Sequence, residues 1–130
     1  MSAIDQIEEL ATRFRTLGHV AITPDRDERD DSWTSLTLTE QVEAKREFID
    51  AYLEQVRSAD AIVIANFARD GISGYVGPNT LIEAAFAKAL GRPVYLYNEP
   101  GPQPAQVELL AVQMACLYGD PRNLPTTSNS

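Results

Sequence analysis

The run Ala61 to Ala65 is the feature that most constrains the fold of this chain. Its residues are alanine, isoleucine, valine, isoleucine and alanine, all of them apolar, and β-branched residues favour strands. A strand that is apolar on both faces is typical of a parallel sheet covered by helices on each side. The run therefore predicts an α/β domain with this segment as a central strand.

Helical and strand-like patterns alternate on either side of that run. The spacing predicts further strands over residues 19–23, 93–97 and 114–118. It predicts helices over residues 4–17, from Thr39 or Glu40 to about residue 56, over 81–90 with Asn79 or Thr80 as the N-cap, and over 105–112. We expect residues 1–125 to form one three-layer domain with a flavodoxin- or Rossmann-like parallel sheet, and residues 126–130 to form a disordered tail.

Composition and charge exclude several classes of function. Nineteen acidic and eleven basic residues give a net charge of −8, which disfavours binding to nucleic acid and to acidic membranes. No apolar run approaches the roughly 20 residues of a membrane helix, and no signal peptide is visible. Cys116 is the single cysteine, which fits a reducing compartment and predicts a cytoplasmic protein. No motif predicts a metal or a cofactor.

A loop with three glycines follows the central strand and leads into a predicted helix. Such a loop lets the backbone approach a ligand closely, and the free N–H groups of a helix start favour anions. Glu83 lies one turn into that helix, so its carboxylate reaches the crevice beyond the carboxyl ends of the strands, where ligands bind in open parallel sheets. The same rule places on that side the polar residues that follow strands: Thr23, Asp25, Asn66, Asn98 and Glu99.

Four sequence patterns together resemble one known family. An alanine–aspartate pair at 59–60 precedes the central strand, and the pattern G-Y-hydrophobic-G-x-x-T-x-x-E spans Gly74 to Glu83. G-R-P-V follows at 91–94, and G-H-x-A-x-x-P occupies 18–24. These patterns resemble the nucleoside 2-deoxyribosyltransferase-like family over most of residues 4–97. The resemblance implies cleavage or transfer of the N-glycosidic bond of a small nucleoside or nucleotide.

The resemblance also implies roles for individual residues. Glu83 is the expected nucleophile, because a carboxylate stabilises an oxocarbenium-like transition state and forms a glycosyl ester. The residues expected to bind substrate are Asn66, Asp70, Gly74, Tyr75, Gly77, Asn79 and Thr80. No cofactor is implied, and exposed strand edges predict a homodimer. Three alternatives stay open. Glu83 only stabilises the helix N-terminus, the domain binds a nucleotide or nucleotide-sugar without catalysis, or it is a structural or interaction domain that dimerises through its exposed strand edges.

The chain departs from the family pattern at two places. Family members begin with a central strand and a short turn before the first helix, whereas residues 1–4 here lead directly into that helix. One hypothesis is that Met1 and Ser2 are the remainder of that turn, so that the chain starts late. Tyr52 stands where the family has a supporting aspartate, and Gly77 stands where free-nucleoside transferases have an acid. The missing acids favour the binding alternative.

Overall fold

The computed structural model describes residues 3–23 and 31–125. Its elements are α1 (Ala3–Thr16), α2 (Asp31–Thr34), α3 (Leu38–Ser58), β1 (Ile62–Ile64), α4 (Pro78–Ala89), β2 (Val94–Leu96), α5 (Gln106–Val112), β3 (Ala115–Cys116) and a short 3₁₀ helix (Pro121–Asn123). The predicted tail over 126–130 and the predicted binding-side residue Asp25 lie outside the described residues. No helix within the described ranges has the length and apolarity needed to cross a membrane.

The three strands form one parallel sheet in the order β1-β2-β3. Ile62 pairs with Val94, and Leu96 pairs with Cys116. Helix α4 connects β1 to β2, and α5 connects β2 to β3, as parallel pairing requires a crossover connection. The predictions of an α/β fold and of a parallel sheet are confirmed.

The two faces of the sheet bury different apolar clusters, because successive side chains of a strand point to opposite faces. Val94 and Leu96 pack with Val56 of α3 and with buried residues of α4 and α5. Tyr95 packs on the other face with Leu10 and Phe14 of α1. Helices therefore contact the sheet from both sides, with α1 on one face and α3, α4 and α5 on the other.

Helix α3 begins at Leu38, slightly before the position that the sequence predicted. Thr37 is the N-cap: its hydroxyl accepts a hydrogen bond from the Glu40 backbone N–H at 3.1 Å, and its own N–H donates to the Glu40 carboxylate at 2.8 Å. This reciprocal pair is a capping box, which satisfies two backbone donors at the helix start. The expected start at Thr39 or Glu40 was wrong, because the capping box joins Thr37 to Glu40 and so makes Leu38 the first helical residue.

The segment His19 to Thr23 follows α1 and is not a strand of the described sheet. Gly18 ends α1 with a φ of 97°, as its predicted capping position requires. The segment then has no ladder partner in the described part of the chain, and Val20 and Ile22 are 92% and 72% exposed. The strand predicted over 19–23 was therefore wrong, because a strand needs a neighbour and none of the described strands pairs with it.

Candidate functional site

The loop between β1 and α4 contains a tight two-residue turn. Arg69 and Ile72 exchange two backbone hydrogen bonds, at 3.0 and 2.9 Å. Asp70 and Gly71 between them both have positive φ, 52° and 78°, which is the signature of a type I′ turn and explains the Asp-Gly pair. Asp70 therefore lies at the tip of a turn, with 81% of its side chain exposed.

Asn66 joins the loop after β1 to the loop after β2. Its side-chain Nδ2 donates to the Asn98 carbonyl at 2.7 Å and to the Gly74 carbonyl at 3.4 Å, and its Oδ1 accepts from the Asn98 N–H at 2.8 Å. Asn98 Nδ2 in turn donates to the Asn66 carbonyl at 3.1 Å. Only 2% of Asn66 is exposed. Its amide therefore shapes the two loops by hydrogen bonds within the protein.

Gly74 and Gln103 fix the second half of the loop. Gly74 has a φ of 60°, and a Cβ at this position would lie 2.1 Å from the Glu99 carbonyl oxygen. Gln103 Nε2 donates to the Gly74 carbonyl at 3.1 Å, while Gln103 Oε1 accepts from the Val76 N–H at 3.0 Å. No local pattern in the sequence indicates this role for Gln103, because its partners lie far away along the chain.

Helix α4 starts at the end of this loop and presents three of the predicted site residues on one face. Gly77 is the N-cap and Pro78 the first helical residue, where its missing N–H costs nothing. The predicted N-cap at Asn79 or Thr80 was therefore wrong. Asn79 and Thr80 precede Glu83 by four and three residues, the separations that place side chains on the same side of a helix.

A cavity of about 1370 Å³ runs alongside β1 and past its carboxyl end. Five of the eight predicted site residues line it: Tyr75, Gly77, Asn79, Thr80 and Glu83. Asn66, Asp70 and Gly74 do not line it. These three residues instead make the contacts within and between the loops that are described above. The lining also includes polar residues that the sequence did not single out as ligand contacts, among them Tyr52, Gln55 and Arg69.

Positive charge on the loop side of the cavity comes from Arg69. Its guanidinium carbon lies 5.9 Å from the centre of the Tyr75 ring, within the range of a cation–π contact. Its Nε lies 3.9 Å from Asp70 Oδ2 at a well-exposed position, where an ion pair is weak. Arg69 and the N-terminal end of α4 together favour an anionic group at this end of the cavity.

Within the described ranges, no group of three or more histidine, cysteine, aspartate or glutamate residues is placed to hold a metal ion. Comparison of the chain with protein-family models, curated proteins and solved structures finds no match. The chemistry of this cavity therefore depends on the side chains that line it.

Proposed function

We propose that this protein cleaves or transfers the N-glycosidic bond of a nucleoside or nucleotide, with Glu83 as the nucleophile. The observation that carries the proposal is the shared face of α4: Glu83, Asn79 and Thr80 line one cavity beside the carboxyl end of β1. A few convergent polar groups in a large cavity are typical of a small-molecule site. The sequence pattern from Gly74 to Glu83 adds the chemical identity of the reaction.

The reaction follows from the position of the carboxylate. Glu83 attacks the anomeric carbon of the sugar, the bond to the base breaks with its electron pair moving to the base nitrogen, and a glycosyl ester forms. The base takes up a proton as it leaves, and Tyr75 is a loop residue of the cavity lining that can donate one. Asn79 and Thr80 hydrogen-bond the sugar. Water or a second base then attacks the ester and releases Glu83.

The finer architecture belongs to the same proposal. We propose that the sheet is part of a three-layer, Rossmann-like domain of the deoxyribosyltransferase-like family. Support comes from the helices on both faces of the sheet and from the parallel order of the strands. Lining residues at the carboxyl end of β1 also agree with the rule for ligand sites in open parallel sheets.

Chromatographic measurement of free base tests the reaction. A panel of nucleosides and their 5′-monophosphates is incubated with the protein, with Glu83→Gln, and with Glu47→Gln as the matched control on the exposed side of α3. We expect Glu83→Gln to lose about three orders of magnitude in rate, as loss of a nucleophile does, and Glu47→Gln to keep the wild-type rate. Wild-type activity in Glu83→Gln, or no base release from any member of the panel, overturns the assignment.

A second candidate function is ligand binding without catalysis. Among the described residues, the carboxylates that line the cavity besides Glu83 are Glu8 and Asp60. Glu8 accepts a hydrogen bond from the Thr23 hydroxyl at 2.8 Å, and Asp60 precedes β1 and so lies toward its amino end. Glu8 is thus engaged by Thr23, and Asp60 lies at the opposite end of β1 from the loop that leads to Glu83, which favours binding without catalysis. Thermal stabilisation by a nucleotide without base release favours this function.

Replacement of Arg69 tests whether the ligand carries a phosphate, for catalysis and for binding without catalysis alike. If a 5′-phosphate binds beside Arg69, Arg69→Ala weakens the binding of a nucleoside monophosphate by about tenfold or more, because a charge-assisted hydrogen bond contributes about 1.5–3 kcal/mol. Binding of the unphosphorylated nucleoside stays unchanged. Equal effects on the two ligands, measured by calorimetry, exclude a phosphate contact at Arg69. The exposed Arg46 on α3 provides the control variant Arg46→Ala.

A further inference from the structure

The backbone on both sides of Tyr75 is held by one distant side chain. Gln103 Nε2 donates to the Gly74 carbonyl at 3.1 Å, and Gln103 Oε1 accepts from the Val76 N–H at 3.0 Å. The Gly74 carbonyl belongs to the peptide group before Tyr75, and the Val76 N–H belongs to the peptide group after it. Two soft dihedrals of a residue set the relation between its two planar peptide groups. The Gln103 amide therefore fixes the backbone of Tyr75.

The orientation of the Gln103 amide follows from its partners. Nε2 also donates to the Gly101 carbonyl at 3.1 Å, so both N–H bonds of Nε2 face carbonyl oxygens, and Oε1 is the atom that can accept from the Val76 N–H. Gly101 N in turn donates to the Ser73 carbonyl at 2.7 Å. The loop after β2 is thereby tied to the loop before α4 on both sides of Tyr75.

The side chain of Tyr75 lies across the start of α4. A Cβ added at Gly77 would lie 3.6 Å from the Tyr75 hydroxyl oxygen and 3.7 Å from a ring carbon, so the ring packs against the N-cap residue. The Arg69 guanidinium carbon is 5.9 Å from the ring centre. Tyr75 and Gly77 line the cavity that Glu83 also lines, whereas Gln103 does not. Gln103 therefore holds Tyr75 from outside the ligand space.

We infer that Gln103 is a positioning residue for the proposed reaction, because its amide sets where the Tyr75 hydroxyl meets the leaving base. This role rests on the proposed function, in which Tyr75 gives its proton to the base nitrogen that receives the electron pair of the broken bond. The phenolate left behind recovers a proton when water opens the glycosyl ester at Glu83. Proton transfer needs heavy atoms about 2.6–3.2 Å apart, and a misplacement of about 1 Å costs up to about 100-fold in rate.

A double-mutant cycle distinguishes this role from simple stabilisation of the loop. Stabilisation alone would make the effect of Gln103 independent of the Tyr75 hydroxyl, whereas positioning acts only through that hydroxyl. Gln103→Leu removes the three hydrogen bonds of the amide with little change in size. Tyr75→Phe removes the hydroxyl and keeps the ring. The cycle comprises the wild type, the two single variants and the double variant.

Base release is measured with the nucleoside or 5′-monophosphate that the wild type cleaves fastest. We expect Gln103→Leu to lower kcat by about 10- to 100-fold and to change KM little. In the Tyr75→Phe background the same replacement lowers kcat by less than about twofold, because the hydroxyl that it would misplace is already gone. Gln106→Leu is the matched control: Gln106 donates to the Pro100 carbonyl at 3.0 Å in the same loop, and we expect the wild-type rate.

NMR follows the position of Tyr75 without turnover. In the wild type we expect a cross-peak between the Tyr75 ring protons and the α-protons of Gly77, and slow exchange of the Val76 amide proton. Gln103→Leu weakens the cross-peak and speeds the exchange by about tenfold or more, whereas Gln106→Leu changes neither. Melting curves check that the variants are folded.

Three results overturn the positioning role. The first is a pair of kcat losses, from Gln103→Leu and Tyr75→Phe, that multiply in the double variant. The second is an unchanged cross-peak in Gln103→Leu. The third is fast exchange of the Val76 amide in the wild type, which decides the question even if Gln103→Leu does not fold. Any of them together with base release by the wild type refutes the role of Gln103 alone, whereas no base release by the wild type refutes the proposed function and this role with it.

Discussion

Replacement of Gly74 by alanine tests whether the loop before α4 is held by close backbone contact. Gly74 has a φ of 60°, and an added Cβ would lie 2.1 Å from the Glu99 carbonyl oxygen and 2.8 Å from its carbon. Both neighbours are backbone atoms, so no side-chain rotation relieves the overlap. Gly71 is the matched control: its φ is 78°, and beyond its chain neighbours no atom lies within 4 Å of the place that an added methyl group would take.

The expected cost has two parts. A left-handed backbone costs an alanine about 1–2 kcal/mol, and both variants lose this amount. In Gly74→Ala the added Cβ also has to displace packed backbone, which lowers the free energy of unfolding by about 1–3 kcal/mol more, as overpacking does. The free energy of unfolding therefore falls by about 2–5 kcal/mol in Gly74→Ala and by about 1–2 kcal/mol in Gly71→Ala. The difference between the variants isolates the contact with Glu99.

Urea unfolding measures this difference directly. With an m value of about 2 kcal/mol/M, an extra loss of about 2 kcal/mol lowers the unfolding midpoint of Gly74→Ala by about 1 M relative to Gly71→Ala. The m values of the two variants have to agree for the comparison to hold. Equal midpoints would refute the reasoning, because they would show that the loop does not press against the backbone at Glu99.

Three further predictions concern hydrogen bonds elsewhere in the fold. Asn66→Ala leaves the N–H and carbonyl of Asn98 without their partner. We therefore expect the free energy of unfolding, measured in urea, to fall by about 2–4 kcal/mol. A fall below about 1 kcal/mol contradicts the role of Asn66 in joining the two loops. Thr37→Ala removes the cap of α3 and costs about 1 kcal/mol, whereas Thr37→Ser costs only a few tenths; equal losses contradict the capping box. The hydrogen bond from the Arg122 side chain lowers the pKa of Asp120 below its ordinary value of 3.8. Ionised Asp120 therefore stabilises the fold above that ordinary value, and this stabilisation is lost as the pH falls through the lowered pKa. Asp120→Asn therefore flattens the dependence of melting temperature on pH below about pH 4, and an unchanged profile contradicts the pairing.

Local patterns in the sequence were sufficient for most helices and for the strands of the described sheet. The apolar run at Ala61 to Ala65 predicted β1, and the glycine at 91 marked the end of α4, because these signals depend on neighbouring residues alone. The segment 19–23 has the composition of a strand but lacks a described partner. Strand formation is a property of a pair of segments, so composition could not decide it.

The same distinction between local signals and contacts distant along the chain applies to the candidate site. The spacing of Asn79, Thr80 and Glu83 on one helix was sufficient to place them together, since helical geometry is local. Asn66 was placed correctly at the carboxyl end of β1, but the sequence could not show that its amide is used by Asn98. Gln103 was missed for the same reason: its hydrogen bonds reach Gly74 and Val76 across the fold.

The two long sides of the cavity are held by different numbers of hydrogen bonds. The loop side, from Tyr75 to Glu83, follows a segment fixed by Asn66, Gly74 and Gln103. Residues 19–23 have hydrogen bonds from α1 but no strand partner among the described residues. The side chains that the proposed reaction uses therefore come from the side of the cavity that the protein itself holds in place, which is where a site needs rigid support.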